Sequence, residues 1–357
     1  MVLVVGGVFV LLAIYHLRRF LLVSKETEQL RPSTQVPPAL VSPRSVSFLV
    51  AGWNAASELE PFVNEFRSLP IRDKQLLLCV GGKDGTYDKA RTFASECVVV
   101  LEQRPGMGKQ KALREALPYA TGEWIYLTDI DSRLSTECVT RMMMALATER
   151  AECVTGGMAP LPEQEQDRFV RAQWAIDRYG SLRTSELTSG ILGANTLLTR
   201  NALRNAGDFE QDAPSGTDYT LAKELVAAGH NILHVKDAEV RTDFSLLISH
   251  YAKRRARWLR NVLILGRKYG CYAEVRSVIV TVGLSFLYPV LLILGFMWWW
   301  LWAALLALAT HSLLNRLRYC KASQVEAGFR GVWKTFVGDA MAGILAGYET
   351  ARGKVRW

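Results

Sequence analysis

The sequence contains few of the side chains that build metal centres or disulfide frameworks. Only 6 cysteines and 5 histidines occur among its 357 residues. No cysteine pair has CxxC spacing and the histidines form no HExxH pattern, so neither a zinc ribbon nor a zinc protease is indicated. The scattered cysteines are typical of free thiols in a reducing compartment.

A P-loop and a nucleic-acid-binding surface are also missing. Residues 106–110 invite a P-loop interpretation, but Gln103 stands where the motif needs glycine and Gln110 where it needs serine or threonine. The net charge of +9 is concentrated beside apolar segments and is not interleaved with aromatic residues along one surface. We therefore expect no nucleic acid partner.

Long apolar runs lie at both ends of the chain. Residues 2–17 carry no charged side chain and are followed by Arg18 and Arg19. With snorkelling arginines this run predicts a transmembrane anchor over residues 1–23, which is favoured over a cleaved signal peptide because no basic region precedes it. The basic residues that follow place the next domain in the cytoplasm.

The second apolar stretch, residues 277–314, contains no Asp, Glu, Lys or Arg. Its length predicts two membrane-spanning helices joined by a tight turn, with four tryptophans near the lipid headgroups. Residues 332–348 fit either a third span or an interfacial helix. We therefore predict a C-terminal membrane region over residues 276–357 with two or three helices, in a multi-pass protein of the cell membrane.

Between these flanks the composition is that of a soluble domain. A proline-rich linker over residues 24–44 leads to alternating strand-like and helix-like segments that begin at Val46. This alternation predicts an α/β fold with a mostly parallel sheet, whose ligands bind at the carboxyl ends of the strands. We place this cytoplasmic domain at residues 45–248 and a basic interfacial helix region at 249–275.

Asp129 and Asp131 follow a hydrophobic strand, one residue apart. Carboxylates in this arrangement can bind one Mg²⁺ or Mn²⁺ ion, which can bridge two phosphates of a nucleotide. The alternative is a solvated turn in which Ser132 caps the next helix. An isolated D-x-D pattern favours the turn, so the metal site depends on its context.

Two further segments carry candidate chemistry. Asp218 precedes an amphipathic helix, where either Thr217 or Asp218 caps the helix or Asp218 acts as a general base. Residues 253–260 contain five basic side chains, which suit binding of anionic lipid headgroups. Within this segment Arg257 can offer a bidentate guanidinium to a diphosphate, and Trp258 a flat ring to a sugar or acceptor.

Taken in order, several short segments resemble the membrane-bound family 2 glycosyltransferases. They are VSFLVAGWNA, GGKDGT, PGMGKQKALREAL, YLTDIDS, GANTLLTR, GTDY and RRARW. The resemblance covers about residues 45–260 and implies a GT-A nucleotide-sugar-binding fold. Their order and spacing carry the resemblance, because each motif alone is weak.

The resemblance also implies a role for each motif. Asp129 and Asp131 match the DxD motif, in which Asp131 is the direct ligand of a Mg²⁺ or Mn²⁺ ion, and Asp218 matches the general base. Contacts to the donor nucleotide and the (Q/R)xxRW motif complete the site. The residues implied to contact the nucleotide are Asn54, Asp84, Lys109 and Asp129. The residues that match the (Q/R)xxRW motif are Arg254, Arg257 and Trp258.

One departure from the family concerns the loop after the second strand. The acid that usually contacts the uracil ring is replaced by Val80, and Asp84 is the candidate substitute for it from a shifted position. Arg254 in place of glutamine, together with the C-terminal segment that begins at Gly338, resembles the ceramide glucosyltransferase-like group.

The resemblance and the apolar flanks together predict an inverting glycosyltransferase with a UDP-sugar donor and a lipid or glycan acceptor. Because few membrane helices are predicted, transfer to a lipid is favoured over a processive polysaccharide synthase. A non-enzymatic membrane-anchored binding module is the third hypothesis. Anionic membrane lipids are expected partners of the basic segment.

Overall fold

The computed structural model describes residues 11, 14–23, 45–148, 150–211, 213 and 215–353. These residues belong to two compact units. The sheet unit comprises residues 45–161 and 184–243, and the helical unit comprises the described residues up to 23 with residues 162–183 and 244–353. The predicted linker, residues 24–44, and residues 1–10 of the predicted anchor lie outside the described residues. The predicted domain boundaries stay predictions.

The sheet unit alternates strands and helices from Val46 onward, as predicted. Its strands are β1 (Val46–Trp53), β2 (Lys74–Gly81), β3 (Val98–Glu102), β4 (Trp124–Asp129), β5 (Ser132–Arg133), β6 (Cys153–Pro160), β7 (Leu187–Thr188), β8 (Thr196–Thr199) and β9 (Ile232–Thr242). Its helices, numbered along the whole chain, are α1 (Leu59–Ser68), α2 (Thr86–Arg91), α3 (Gly108–Ala116), α4 (Thr136–Ala147), α6 (Arg200–Asn205) and α7 (Thr217–Ala227).

The strand order is β3-β2-β1-β4-β8-β6-β9-β5, with β7 paired to β9. Strands β3, β2, β1 and β4 are parallel, as predicted. Beyond β4 the sheet is mixed, because β8 runs antiparallel to both β4 and β6, and β5 and β7 run antiparallel to β9. The expectation of a mostly parallel sheet is therefore wrong for this half. A helix-free segment, residues 189–195, leads into β8, whereas parallel neighbours need a crossover of about a dozen residues.

Apolar layers cover both faces of the sheet. The first layer packs α1 and α4 against one face and includes Phe48, Phe66 and Tyr126. The second layer packs α3, α6 and α7 against the opposite face and includes Leu113 and Leu225. These layers hold the carboxyl ends of β1 to β4 together at one edge of the sheet, where the polar loops begin.

The helical unit contains α5 (Arg168–Arg183), α8 (Ile248–Lys268), α9 (Tyr272–Leu294), α10 (Trp300–Ala322) and α11 (Gly328–Ala351). Helix α11 covers the predicted third C-terminal segment and packs against α8 and α9. A Cβ atom at Gly338 would overlap Tyr251 of α8, and one at Gly343 would overlap Ser285 of α9. Glycine is therefore required where these helices approach each other most closely.

Helices α9 and α10 form a hairpin, which agrees with the predicted turn near Gly295. The Trp302 indole N–H donates a hydrogen bond to the carbonyl of Leu292 at 3.1 Å and fixes the turn. Apolar side chains such as Ile293 and Phe296 are exposed on the hairpin. Among the described helices, only α9 is long and apolar enough to cross a membrane by length and composition.

Candidate active site

Asp129 ends β4, and Asp131 follows in the short turn to β5. The side chain of Ile130 between them is buried in the first apolar layer. Because successive side chains of an extended segment alternate, the two carboxylates lie on the opposite side, toward α3. An apolar residue between two acids thus fixes both carboxylates at the same edge of the sheet.

Lys109, in the first turn of α3, joins the predicted acids. Its Nζ forms an ion pair with Asp129. A Cβ atom added at Gly193 would lie 3.4 Å from that Nζ and 3.1 Å from Cβ of Asp218. The structure therefore brings Lys109, Asp129, Asp131 and Asp218 together, and the missing side chain at Gly193 leaves room for them.

The acidic side chains of this group outnumber its one basic side chain. Burial alone lowers the pKa of Lys109, but attraction to Asp129, Asp218 and Asp131 outweighs it and raises the pKa. Asp131 reaches solvent, yet crowding by protein atoms and then repulsion from Asp129 raise its pKa to about 6, against the opposing effect of Lys109. Two ionised carboxylates here carry more negative charge than one lysine balances.

The turn around the two carboxylates suits a hard cation. In the described part of the chain, no three His, Cys, Asp or Glu side chains form a cluster that could hold a metal ion alone. Carboxylate oxygens are the ligands that hard cations such as Mg²⁺ and Mn²⁺ prefer. Asp129 and Asp131 therefore fit an ion that takes further oxygen ligands from water or a diphosphate.

The two helix-cap alternatives are wrong. Ser132 lies in β5, and Ser135 caps α4 by accepting a hydrogen bond from the N–H of Cys138 at 3.1 Å. Gly216 is the N-cap of α7, and Asp218 instead accepts the N–H of its neighbour Tyr219 at 2.9 Å. Neither acid motif is accounted for by helix capping.

Gln110, next to Lys109 in α3, holds the loop that leads to α7. Its Nε2 donates to the carbonyls of Phe209, at 3.3 Å, and Gln211, and its Oε1 accepts the N–H of Ala213 at 3.0 Å. Adjacent residues of one helical turn thus contact the acids and the approach to Asp218.

Asp84 is engaged in the structure of its own loop. Its carboxylate accepts hydrogen bonds from the N–H of Ala56 and of Thr86, each at 3.1 Å, and from the Thr86 hydroxyl. These bonds, led by that of the hydroxyl, lower the pKa of Asp84. Val80, at the position of the family's usual acid, is fully buried in the first apolar layer.

Asn54 connects the loops after β1 and β2. Its N–H donates to the carbonyl of Gly81 at 2.9 Å, and its Oδ1 accepts the N–H of Lys83 at 2.8 Å. The residue adopts a left-handed conformation with φ of 54°, which asparagine tolerates better than most residues. Asn54 thus shapes the edge of the sheet beside the carboxylates.

Three further residues at this edge, Trp53, Gly81 and Gln103, had no role in the site predicted from the sequence. Trp53 pairs with Gly81, and Val80 pairs with Glu102, so Gly81 lies beside Gln103. Ala51 pairs with Asp129, so Trp53 lies on the same face of the sheet as Asp129. The edge row, Gln103, Gly81 and Trp53, lies at the ends of β3, β2 and β1 in that order, and Asp129 ends the next strand, β4. The only sequence signal for Gln103 is its place directly after a strand.

The residues of the (Q/R)xxRW motif lie on α8, in the helical unit. The guanidinium of Arg254 lies 5.4 Å from the ring centroid of Phe244. Arg257 is exposed and Trp258 is half exposed, and the guanidinium of Arg255 lies 5.4 Å from the Trp258 ring centroid. The motif therefore presents one arginine and one indole ring to solvent.

Ion pairs hold α8 to the C-terminal helices. Asp339 of α11 pairs with Arg316 of α10 at 2.6 Å and with Arg255 at 3.5 Å, and accepts the Tyr251 hydroxyl at 2.8 Å. We call these four residues the Asp339 network.

A second ion pair joins the same helices. Arg260 of α8 has no exposed surface and pairs with Glu349 of α11 at 2.7 Å.

Comparison with known proteins gives the following similarities. The family model described as "Glycosyltransferase like family 2" matches residues 43–261, and no curated protein sequence matches the chain. The mannosyltransferase PcManGT from Pyrobaculum calidifontis, solved with GDP-Man and Mn²⁺, has a TM-score of 0.62 and 16% identity over 98% of this chain and 99% of that chain. GalNAc-T7, solved with UDP, GalNAc and Mn²⁺, has a TM-score of 0.44 and 12% identity over 61% of this chain and 47% of that chain.

Proposed function

Because this chain belongs to the glycosyltransferase-like family 2, we propose that it transfers a sugar from a nucleoside diphosphate sugar to an acceptor hydroxyl. The observation that carries the proposal is the meeting of Lys109, Asp129, Asp131 and Asp218 at the carboxyl ends of the parallel strands. The similar mannosyltransferase was solved with GDP-Man and Mn²⁺, which supports a nucleotide-sugar donor and a divalent metal here.

Asp131 and Asp129 are the residues that would hold Mg²⁺ or Mn²⁺. When bound, such an ion supplies the positive charge that stabilises a departing diphosphate. Lys109 stays protonated and fixes the carboxylate of Asp129 through their ion pair. We assign further stabilisation of the leaving group to Arg257 on the basis of the family motif, because a guanidinium can bind phosphate oxygens in pairs.

Asp218 acts as the general base in this proposal. Its Oδ1 accepts the N–H of Tyr219, which fixes the carboxylate at the start of α7. The carboxylate removes the proton of the acceptor hydroxyl, the acceptor oxygen bonds to the anomeric carbon, and the bond to the diphosphate breaks. The sugar is transferred with inversion because the acceptor oxygen attacks the face opposite the leaving group. Arg254 and Trp258 are assigned to the acceptor side by the same motif.

We further propose that the acceptor is a lipid at the cytoplasmic face of the cell membrane. Support comes from the exposed apolar side chains of α9 and α10 and from the length and composition of α9. The basic segment of α8 would contact anionic headgroups. The donor is proposed to be a UDP-sugar, by the family resemblance.

Incubation of native membranes with a panel of labelled nucleotide sugars, followed by lipid extraction, tests the proposal. One added sugar on an extracted lipid is the expected product. A ladder of long products would instead indicate a processive polysaccharide synthase. Absence of both transfer and Mn²⁺-dependent hydrolysis of every donor would indicate a binding module.

The Asp218→Asn variant tests the assignment of the base. We expect transfer to fall by about 10²–10⁴-fold, the usual contribution of general base catalysis, while donor binding stays nearly unchanged. Asp88→Asn is the matched control, because Asp88 is also an acid in the first turn of a helix. The base assignment is wrong if Asp218→Asn keeps more than a few per cent of wild-type turnover.

A further inference from the structure

Gln103 carries a buried amide whose oxygen lacks a partner. The residue is 6% exposed, and no described residue donates a hydrogen bond to its Oε1. Buried polar atoms of native proteins are nearly always hydrogen-bonded, so such an atom needs an explanation. Gln103 lies at the end of the edge row, and Asp129 ends β4 at the same edge of the sheet.

The surroundings of Gln103 suit a flat ligand. Trp53 is 40% exposed, and its ring edge would lie 3.1 Å from a Cβ atom added at Gly81. That added atom would also overlap the carbonyl of Gln103. A side chain at Gly81 would therefore overlap the backbone of Gln103 and crowd the indole ring.

The family's usual contact to the donor base is missing from this chain. Val80 stands at the position of that acid and is buried in the core. Both oxygens of Asp84, the acid of the loop after β2, accept hydrogen bonds from the protein. Recognition of a base at this edge therefore needs another polar side chain.

We propose that Gln103 recognises the base of the donor nucleotide, with Oε1 accepting the lactam N–H of uracil, thymine or guanine and Trp53 stacking on the ring. Cytosine and adenine present a bare ring nitrogen at the corresponding position and cannot donate this hydrogen bond. The terminal amide torsion of glutamine is broad, so a small rotation turns the oxygen toward the base.

The edge row also has the dimensions of a nucleotide site. Gln103 follows β3 and Asp129 ends β4, and these strands are three strand spacings apart, about 14 Å, with Trp53 of β1 between them. This order places base recognition at one end and the diphosphate-binding carboxylates at the other. The inference rests on the proposed function, because it assumes a nucleoside diphosphate sugar as donor.

Calorimetric titration of the purified full chain with UDP, dTDP, GDP, CDP and ADP in Mn²⁺ tests the inference. We expect diphosphates with a lactam base to bind more tightly than CDP and ADP. Whichever of UDP and GDP binds more tightly identifies the base of the donor. N3-methyluridine diphosphate, which lacks the lactam N–H, should bind about tenfold more weakly than UDP, a difference of ~1.4 kcal/mol.

The Gln103→Met variant should weaken UDP binding by the same factor and leave CDP binding unchanged. The variant should bind N3-methyluridine diphosphate as tightly as it binds UDP, because the hydrogen bond to the lactam N–H is already absent. Gln103→Glu keeps an acceptor and should restore the preference for a lactam base. Gln75→Met is the matched control, since Gln75 carries a hydrogen-bonded amide at the opposite end of the same sheet.

Equal binding of UDP and N3-methyluridine diphosphate by the wild type would overturn the inference, even where Gln103→Met does not fold. An equal effect of Gln103→Met on all five diphosphates would also overturn it. Failure of the wild type to bind any of them would instead count against the proposed function.

Discussion

The acid of the Asp339 network in the helical unit is matched by basic partners, whereas the acids at the sheet edge outnumber theirs. In the Asp339 network one carboxylate faces two arginines and a hydroxyl. At the sheet edge, repulsion from Asp129 adds to crowding and raises the pKa of Asp131 to about 6. A matched group needs no ligand and joins helices, while an acid-rich group gains from a bound cation. The comparison therefore separates a structural cluster from a ligand-binding one.

The largest expected effect comes from neutralising Asp131. Asp131→Asn should abolish Mn²⁺ binding and lower transfer by at least about 100-fold, the scale at which lost electrostatic stabilisation reduces turnover. Without metal its melting temperature should not fall, because repulsion from Asp129 is removed. Calorimetry with Mn²⁺, a transfer assay and thermal unfolding measure the three quantities.

Asp339→Asn is the control from the matched group. It should keep Mn²⁺ binding and lower the melting temperature. If Asp131→Asn bound Mn²⁺ as tightly as the wild type, the proposed difference between the sheet-edge acids and the Asp339 network would be wrong.

Breaking the buried pair of the helical unit should mainly affect stability. Glu349→Gln leaves the charge of Arg260 uncompensated in the protein interior, which should lower the free energy of unfolding by about 3–5 kcal/mol. Denaturant unfolding in detergent micelles measures this change. Glu137→Gln is the control, since Glu137 pairs with Arg141 at 2.6 Å but is 74% exposed. A loss no larger than that of the control would show that burial adds nothing to the pair.

The pH dependence of Mn²⁺ binding should follow Asp131. Because the pKa of Asp131 is raised to about 6, the carboxyl is protonated as the pH falls through 6, and Mn²⁺ affinity should fall with it. Higher Mn²⁺ concentration should move the midpoint to lower pH, since the ion competes with the proton. Without metal, the ionised carboxylate destabilises the fold above pH 6, and this effect disappears as the pH falls toward the unfolded pKa. Constant affinity between pH 5 and pH 7 would contradict the assignment.

Lys109→Met should give the smallest effect. Lys109 lowers the pKa of Asp131, so the variant should move the midpoint of Mn²⁺ binding upward by up to about one pH unit. At pH 8 it should bind Mn²⁺ more tightly, because one competing cation is gone. Mn²⁺ titrations over a pH series measure both changes, with Lys111→Met, an exposed lysine of the same helix, as control. A midpoint that falls or stays fixed would show that Lys109 does not act on Asp131.

The first half of the sheet could be predicted from local pattern. Apolar strands and amphipathic helices alternate from Val46 to Asp129, as the sequence pattern predicted. The GT-A-like α/β fold implied by the resemblance is confirmed. The strand directions of the mixed half could not be predicted, because they depend on distant partners such as Thr155 and Thr196.

The candidate site, like the sheet, could be predicted only in part from the sequence. The motif resemblance indicated Asp129, Asp131 and Asp218, whose side chains the structure brings together with Lys109. Long-range contacts left no local signal. Gln110 and Ala213, for example, are hydrogen-bonded beside the acids but are 103 residues apart in the sequence.

Lys109 and Gln110 are consecutive residues of α3. One pairs with Asp129, and the other holds Phe209, Gln211 and Ala213, which precede α7. Any displacement of this turn must move both contacts. A single helical turn therefore links the position of the Asp129 carboxylate to that of the residues before α7.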